Sequence, residues 1–330
     1  MTWKNRYLPP DPNQWQGRPD LPPASCFFQI MQMLNLAEEK SIDHQPLAFA
    51  LLGFRCDEGV KRNQGRPGAA EGPAAIRQAL AKLPIQRQNF ICYDAGNIMC
   101  PDGDLEGAQE ALGEVVAILL RNKLVPIVLG GGHEIAWGHY QGIASVYTKE
   151  DLGIVNFDAH FDMRPLLPKE HGSSGTSFLQ IAEAHQAANR HFDYSCFGIQ
   201  HSGNIRQLFE TAKKYKAHYM FADELHMGLV EKCVDFMDRI IDANDIVYLS
   251  LCMDVFAAAY APGVSAIQPL GLTPWQVTPL VRLLAATGKV ISFDIAELAP
   301  RYDIDQRTAK LAANLIFEFI HHFNTQPRPW

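Results

Sequence analysis

The chain has 330 residues, 47% hydrophobic and 20% charged, with 29 Lys+Arg against 36 Asp+Glu for a net charge of −7, which is the composition of a globular protein. Disorder, collagen and coiled coil are excluded, no apolar run approaches the ~20 residues of a membrane span, and no basic stripe marks a nucleic-acid partner. Seven cysteines, none spaced C-x-x-C and none preceded by a signal-like apolar segment, read as reduced thiols of a cytoplasmic protein rather than a zinc ribbon.

In chain order, residues 1–24 carry prolines at positions 9, 10, 12, 19, 22 and 23 and read as an irregular arm lying on the surface or on a neighbouring subunit. Residues 25–330 read as one domain, since no repeat, low-complexity tract or long linker divides them. Short runs rich in Val, Ile, Leu and Phe begin at Leu47, Phe90, Val125, Leu152, Tyr194, Ala217, Ile246 and Lys289. They alternate with stretches of helical periodicity, which predicts roughly eight mostly parallel strands in a three-layer α/β/α fold. Gly72-Pro73 opens one helix, carrying Ile76, Leu80 and Leu83. Asp104 to Arg121 forms a second, with Leu105, Ala108, Leu112, Val115, Val116 and Leu119 along one stripe, and Thr273-Pro274 caps a third that ends near Gly288.

Ligands of open α/β sheets bind beyond the carboxyl ends of the strands, so polar residues ending apolar runs are the candidate site. Val125–Leu129 runs into Gly130-Gly131-Gly132-His133-Glu134, where glycines permit a sharp turn and His133 is either a helix cap or a ligand. Gly153–Phe157 runs into Asp158-Ala159-His160-Phe161-Asp162. If that strand stays extended, period-two geometry puts Asp158, His160 and Asp162 on one side. Acidic residues after a buried strand are costly unless compensated, and carboxylates mixed with imidazole suit Mn²⁺, Fe²⁺ or Zn²⁺ better than Ca²⁺. Ile246–Asp254 sets Ser250, Cys252 and Asp254 on one side, and Lys289–Glu297 brings Asp294 and Glu297 to the same edge. Either acid of that last run is a hydrogen-bond acceptor, a substrate-binding group or a cap.

Gly-Gly-Gly-His-Glu at 130–134, Asp-Ala-His-Phe-Asp at 158–162, and Ser250-Leu251-Cys252-Met253-Asp254 followed by Ala261-Pro262-Gly263 resemble the successive metal motifs of the arginase/ureohydrolase superfamily. Residues 59–69, Met163-Arg164, Ser173-Ser174-Gly175-Thr176, 261–266 and 293–297 are most similar to the branch that hydrolyses N-formimidoyl-L-glutamate to glutamate and formamide in histidine degradation. Arginases usually have His-Gly where this chain has Ser174-Gly175, which points away from arginine. The resemblance implies a centre of two Mn²⁺ ions, with His133, Asp158, His160, Asp162 and Asp254 as ligands. Cys252 stands where the family has an Asp bridging both metals. Thiolate is a soft ligand that favours zinc, iron or copper, so the second ion is weak, absent or of another identity. By the same resemblance Asp162 is both ligand and proton acceptor, and Glu297 orients the cationic formimidoyl group. Arg62, Arg66 and Arg164, with Ser174, are the candidates for the substrate's carboxylates, and His171 is a loop histidine or a proton shuttle. The implied partners are a small-molecule substrate and further copies of the chain. The competing readings are another ureohydrolase, acting on agmatine or a guanidino acid, and a metal-depleted, non-catalytic homologue.

Overall fold

Each of the eight apolar runs forms a strand in the computed structural model, which describes residues 3–38, 42, 47–226 and 230–324. These strands are β3 (Ala48–Arg55), β4 (Ile91–Met99), β5 (Val125–Leu129), β6 (Leu152–Phe157), β7 (Asp193–Ile199), β8 (His218–Phe221), β9 (Ile246–Cys252) and β10 (Val290–Ala296). Two shorter ones, β1 (Tyr7–Leu8) and β2 (Met31–Met33), precede them and bring the sheet to ten. The order is β1-β4-β3-β5-β10-β9-β6-β7-β8, with β2 also on β4. All pairs are parallel except β1 with β4.

Helices cover both faces, which is why the strands read as continuous apolar runs. On one face, helices Gly72–Leu80, Val230–Ala243, Pro274–Ala286 and Arg307–His322 bury Ile76, Met237, Val281 and Ile316 against Leu51, Leu249 and Phe293. On the other, helices Leu105–Arg121, Ile135–Val146, Ser177–Ala187 and Arg206–Lys214 bury Leu112, Ile143, Phe178 and Leu208 with Leu52, Val128 and Ile154. The helix starts follow local chemistry: Asp104 Oδ1 accepts from Gly107 N at 3.1 Å, and Gln276 Oε1 accepts from Thr273 N at 2.8 Å. No described helix is long and apolar enough to cross a membrane.

The first residues depart from the expected surface arm. Tyr7–Leu8 pairs with Ile98 and Asn97 at the sheet edge, and Trp3 and Trp15 are buried. Trp15 is anchored by a buried ion pair. Arg77 donates to Asp94 Oδ1 at 2.9 Å, Asn97 Oδ1 at 2.8 Å and Gly96 O at 2.7 Å, while Trp15 Nε1 donates to Asp94 Oδ2 at 2.8 Å. A polar cluster under a helix leaves no mark in hydrophobic periodicity, which explains why this docking was not legible. Removing one partner strands the other's charge in the interior. Arg77→Leu is therefore expected to destabilise the fold by about 3–5 kcal/mol, read from urea unfolding midpoints.

Strands β5 and β6 are consecutive in the chain but separated in the sheet by β10 and β9. The carboxyl ends of these four parallel neighbours open on one edge at this switch of direction.

Candidate metal centre and substrate cavity

Beyond β5 the chain turns through three glycines. A Cβ on Gly131 would stand 2.3 Å from Cys56 O, so the close approach of the two backbones requires glycine there. The turn is clamped by Gly130 N to Ile295 O at 2.6 Å and by Glu297 N to Gly131 O at 2.8 Å. It delivers His133 to the sheet edge.

The structure corrects the extended path expected for 158–162. Strand β6 stops at Phe157, Asp158 N donates to Phe197 O at 2.9 Å, and Asp158 Oδ1 accepts from His160 N at 2.7 Å. Asp162 then takes a left-handed conformation, φ +48°. A turn built around the Asp158 side chain, not strand alternation, brings the three residues together. Likewise β9 ends at Cys252, and a 3₁₀ turn over Met253–Val255 carries Asp254.

Two sets of side chains could each hold an ion. His133, Asp158 and Cys252 form one and Asp158, His160 and Asp254 the other, with ligand atoms inside each set within 4.8 Å of one another. Asp158 belongs to both. His133 Nδ1 lies 2.8 Å from Asp158 Oδ2 and 2.9 Å from Asp162 Oδ2, yet it makes no hydrogen bond to either. His160 Nδ1 lies 3.4 Å from Asp158 Oδ1 and 3.2 Å from Asp254 Oδ2, and Asp254 Oδ1 is buried without a partner. Buried donor atoms that converge without bonding one another are the arrangement a cation satisfies. The residues present therefore fit a pair of divalent ions.

The electrostatics say the same. Burial opposes a charged His133, but Asp158 and Asp162 outweigh it and hold the imidazole well above its ordinary range. Burial likewise opposes a charged His160, and Asp254 and Asp158 outweigh it there. Burial would raise Asp158, but His133 and His160 hold it well below the usual carboxylate range. Burial and then Asp158 push Asp162 up to about 6. Burial, reinforced by Asp158 and Asp254, holds the Cys252 thiol far above its normal value. The site asks for positive charge.

Behind His133 lies a chain of buried polar groups that sequence reading did not assemble. Ser250 Oγ donates to Asp294 Oδ1 at 2.7 Å, so its oxygen accepts from His133 Nε2 at 2.9 Å and leaves Nδ1 facing the carboxylates. Asp294 Oδ2 also accepts from Tyr248 and, at 2.7 Å, meets His139 Nδ1, whose Nε2 meets Ser292 Oγ. The alternation of Tyr248, Ser250 and Cys252 with Ser292 and Asp294 was the available signal. Losing a group that orients a ligand imidazole typically costs 10–100-fold in metal affinity. Ser250→Ala is expected to weaken metal binding by about that factor with the far-ultraviolet circular dichroism unchanged; equal dissociation constants by calorimetry would oppose the assignment.

A cavity of about 330 Å³ opens above these groups, lined by His133, His160, Asp162, Cys252, Asp254 and Glu297 on its floor and by Arg66, Arg164 and Ser174 on its wall. Glu297 is buried, in a left-handed conformation (φ +69°), and its Oε1 accepts from His133 N at 2.9 Å. Burial, Glu134 and Asp254 hold its carboxyl well above the usual range. Arg164 is exposed, and no hydrogen bond or ion pair engages its guanidinium among the described residues. Arg66 Nε donates to Ser265 O at 3.0 Å and its guanidinium stacks 4.2 Å over Tyr302. Ser174 Oγ accepts from Asn63 Nδ2 at 3.1 Å.

Arg62 is the departure from expectation: it does not line the cavity. It is spent on Glu106, Glu58, Gly103 O and Gly172 O. Glu106, opposed by burial but held by Arg62 and His171, falls to about 2. His171 lies in the same network, 3.2 Å from Glu106 Oε1, away from the cavity. Asn63 and Ser265, from the motif segments 59–69 and 261–266, also line it, as does Leu208, which no signature in the sequence singled out.

Residues 47–322 match the arginase family, and the chain belongs to it. Among its relatives, a formimidoylglutamase of Legionella pneumophila is 44% identical over 316 residues, covering 96% of this chain and 98% of the relative. One from a Geobacillus species is 43% identical, covering 98% of each chain. A formiminoglutamase of Trypanosoma cruzi, solved with Mn²⁺, superposes with a TM-score of 0.77 at 28% identity, covering 86% of this chain and 96% of that one.

Proposed function

We propose that this chain is a metal-dependent hydrolase that converts N-formimidoyl-L-glutamate and water to L-glutamate and formamide. The observation that carries the reading is Asp158, shared between two ligand sets beneath a cavity of substrate size. The relatives that match nearly the whole chain are named for that reaction. His133, Asp158 and Cys252, with Asp162 beside them, would hold one Mn²⁺, and Asp158, His160 and Asp254 the other. When bound, such a pair would make water nucleophilic near neutral pH and steady the charge on its oxygen as the amidine carbon is attacked.

The chain's own groups do the rest. Asp162, beside His133 and lining the cavity, is placed to take a proton from the attacking water and to return it to the departing glutamate nitrogen. Glu297 on the floor meets the cationic formimidoyl group, whose charge favours the ionised carboxylate that burial otherwise suppresses. On the wall, the unengaged Arg164 and the Asn63–Ser174 pair face the substrate's carboxylates, and Arg66 shapes the rim while stapled to the 264–265 backbone.

Product analysis tests the reading. Purified, manganese-loaded protein is expected to release stoichiometric formamide from N-formimidoyl-L-glutamate and no urea from arginine or agmatine. Urea as the product, or substrate binding without turnover, would overturn it.

A further inference from the structure

Away from the cavity floor, two cysteines face each other. Strands β3 and β4 pair in parallel with Arg55 opposite Met99, so the next residues on each, Cys56 and Cys100, are opposed one step beyond the paired register. Neighbouring strands run about 4.8 Å apart, inside the Cα separation that a disulfide spans, about 4.4–6.8 Å. Both lie on the same face of the sheet, Cys56 within its apolar layer and Cys100 packed against that layer. Cys56 is buried and Cys100 half-buried, so one partner is open to solvent and the other is held behind it. Among the described residues the only groups of three metal-ligating side chains are those of the sheet-centre site, so this pair is not a further metal site.

We infer that Cys56 and Cys100 are a reversible dithiol/disulfide modification site that reacts with hydroperoxides, Cys100 attacking and Cys56 resolving. The neighbouring Cys56 lowers Cys100 below the ordinary thiol range, while Cys100 and burial hold Cys56 above it. The Cys100 thiolate attacks the peroxide oxygen, breaking the O–O bond and becoming a sulfenic acid. Cys56 then displaces hydroxide from that sulfur, and the hydroxide leaves as water with the Cys56 proton. With hydrogen peroxide the balance is two thiols plus H₂O₂ to one disulfide plus two waters. The site adjoins the cavity. Cys56 O accepts from Gly132 N at 3.1 Å, two residues before Glu134, which accepts from Gly59 N at 2.9 Å at the start of the segment carrying Asn63 and Arg66.

The test treats the full-length, manganese-loaded protein with one equivalent of hydrogen peroxide, blocks free thiols with iodoacetamide and maps tryptic peptides. The expected product is the peptide 56–61 joined to 88–121, two hydrogens lighter than the separate reduced pair, with fragment ions placing the bridge on Cys100 rather than Cys92. Dithiothreitol should return both peptides. In Cys56→Ser, Cys100 should accumulate as a sulfenic acid captured by dimedone, and in Cys100→Ser the residue at 56 should stay reduced. Full alkylation of both cysteines after peroxide, a bridge to Cys92, or sulfinic Cys100 beside a free Cys56 in the unsubstituted chain would each overturn the inference.

Discussion

Asp158→Asn is expected to empty both ion positions at once: at saturating manganese the bound metal falls from two per chain to near none, and turnover drops by at least ~10³-fold. No other carboxylate is shared between the two ligand sets. The substitution keeps the size of the side chain and an oxygen for the 2.7 Å bond from His160 N, so the turn after β6 survives. What disappears is the negative charge that His133 and His160 both face. Metal content by inductively coupled plasma spectrometry, beside circular dichroism, checks the expectation. A folded variant that keeps one tightly held ion and a tenth of the activity would show that Asp158 is not the shared ligand.

The second large effect is a gain. Cys252 is 1% exposed, with its sulfur in the set formed with His133 and Asp158, and burial with the surrounding carboxylates favours the protonated thiol. Manganese must displace that proton and accept a soft ligand where carboxylate oxygen suits it better. Cys252→Asp is therefore expected to raise affinity for the more weakly held ion, and activity at limiting manganese, on the order of tenfold. Titration calorimetry reads the affinity directly. Equal manganese affinity in both proteins would mean that the thiol is no handicap, or that it is not a ligand.

The sheet was legible because a sheet covered on both faces writes itself as continuous apolar runs, and all eight main strands start within a residue or so of where those runs begin. Tyr7–Leu8 and Met31–Met33 are too short to carry any period, and Trp15 docks through a hydrogen bond to Asp94 that hydropathy does not register. At the site, residue types were more informative than spacing. Asp158, His160 and Asp162 do converge, but through a turn that the Asp158 side chain itself organises. Arg62 could not be separated from Arg66 and Arg164 in sequence, because what removes it is Glu106, forty-four positions away, which only the fold brings to it. The Ser250–Asp294–His139 chain has the same cause: two strands and a helix contribute to a network that exists only once β9, β10 and the 135–146 helix are packed.

Two ions are expected to flank Asp158. Anomalous-difference maps from crystals grown with manganese, collected on both sides of its absorption edge, measure that directly. Two manganese peaks per chain are expected, one among His133, Asp158 and Cys252 and the other among Asp158, His160 and Asp254. A single peak, or none within reach of Asp158, would contradict it.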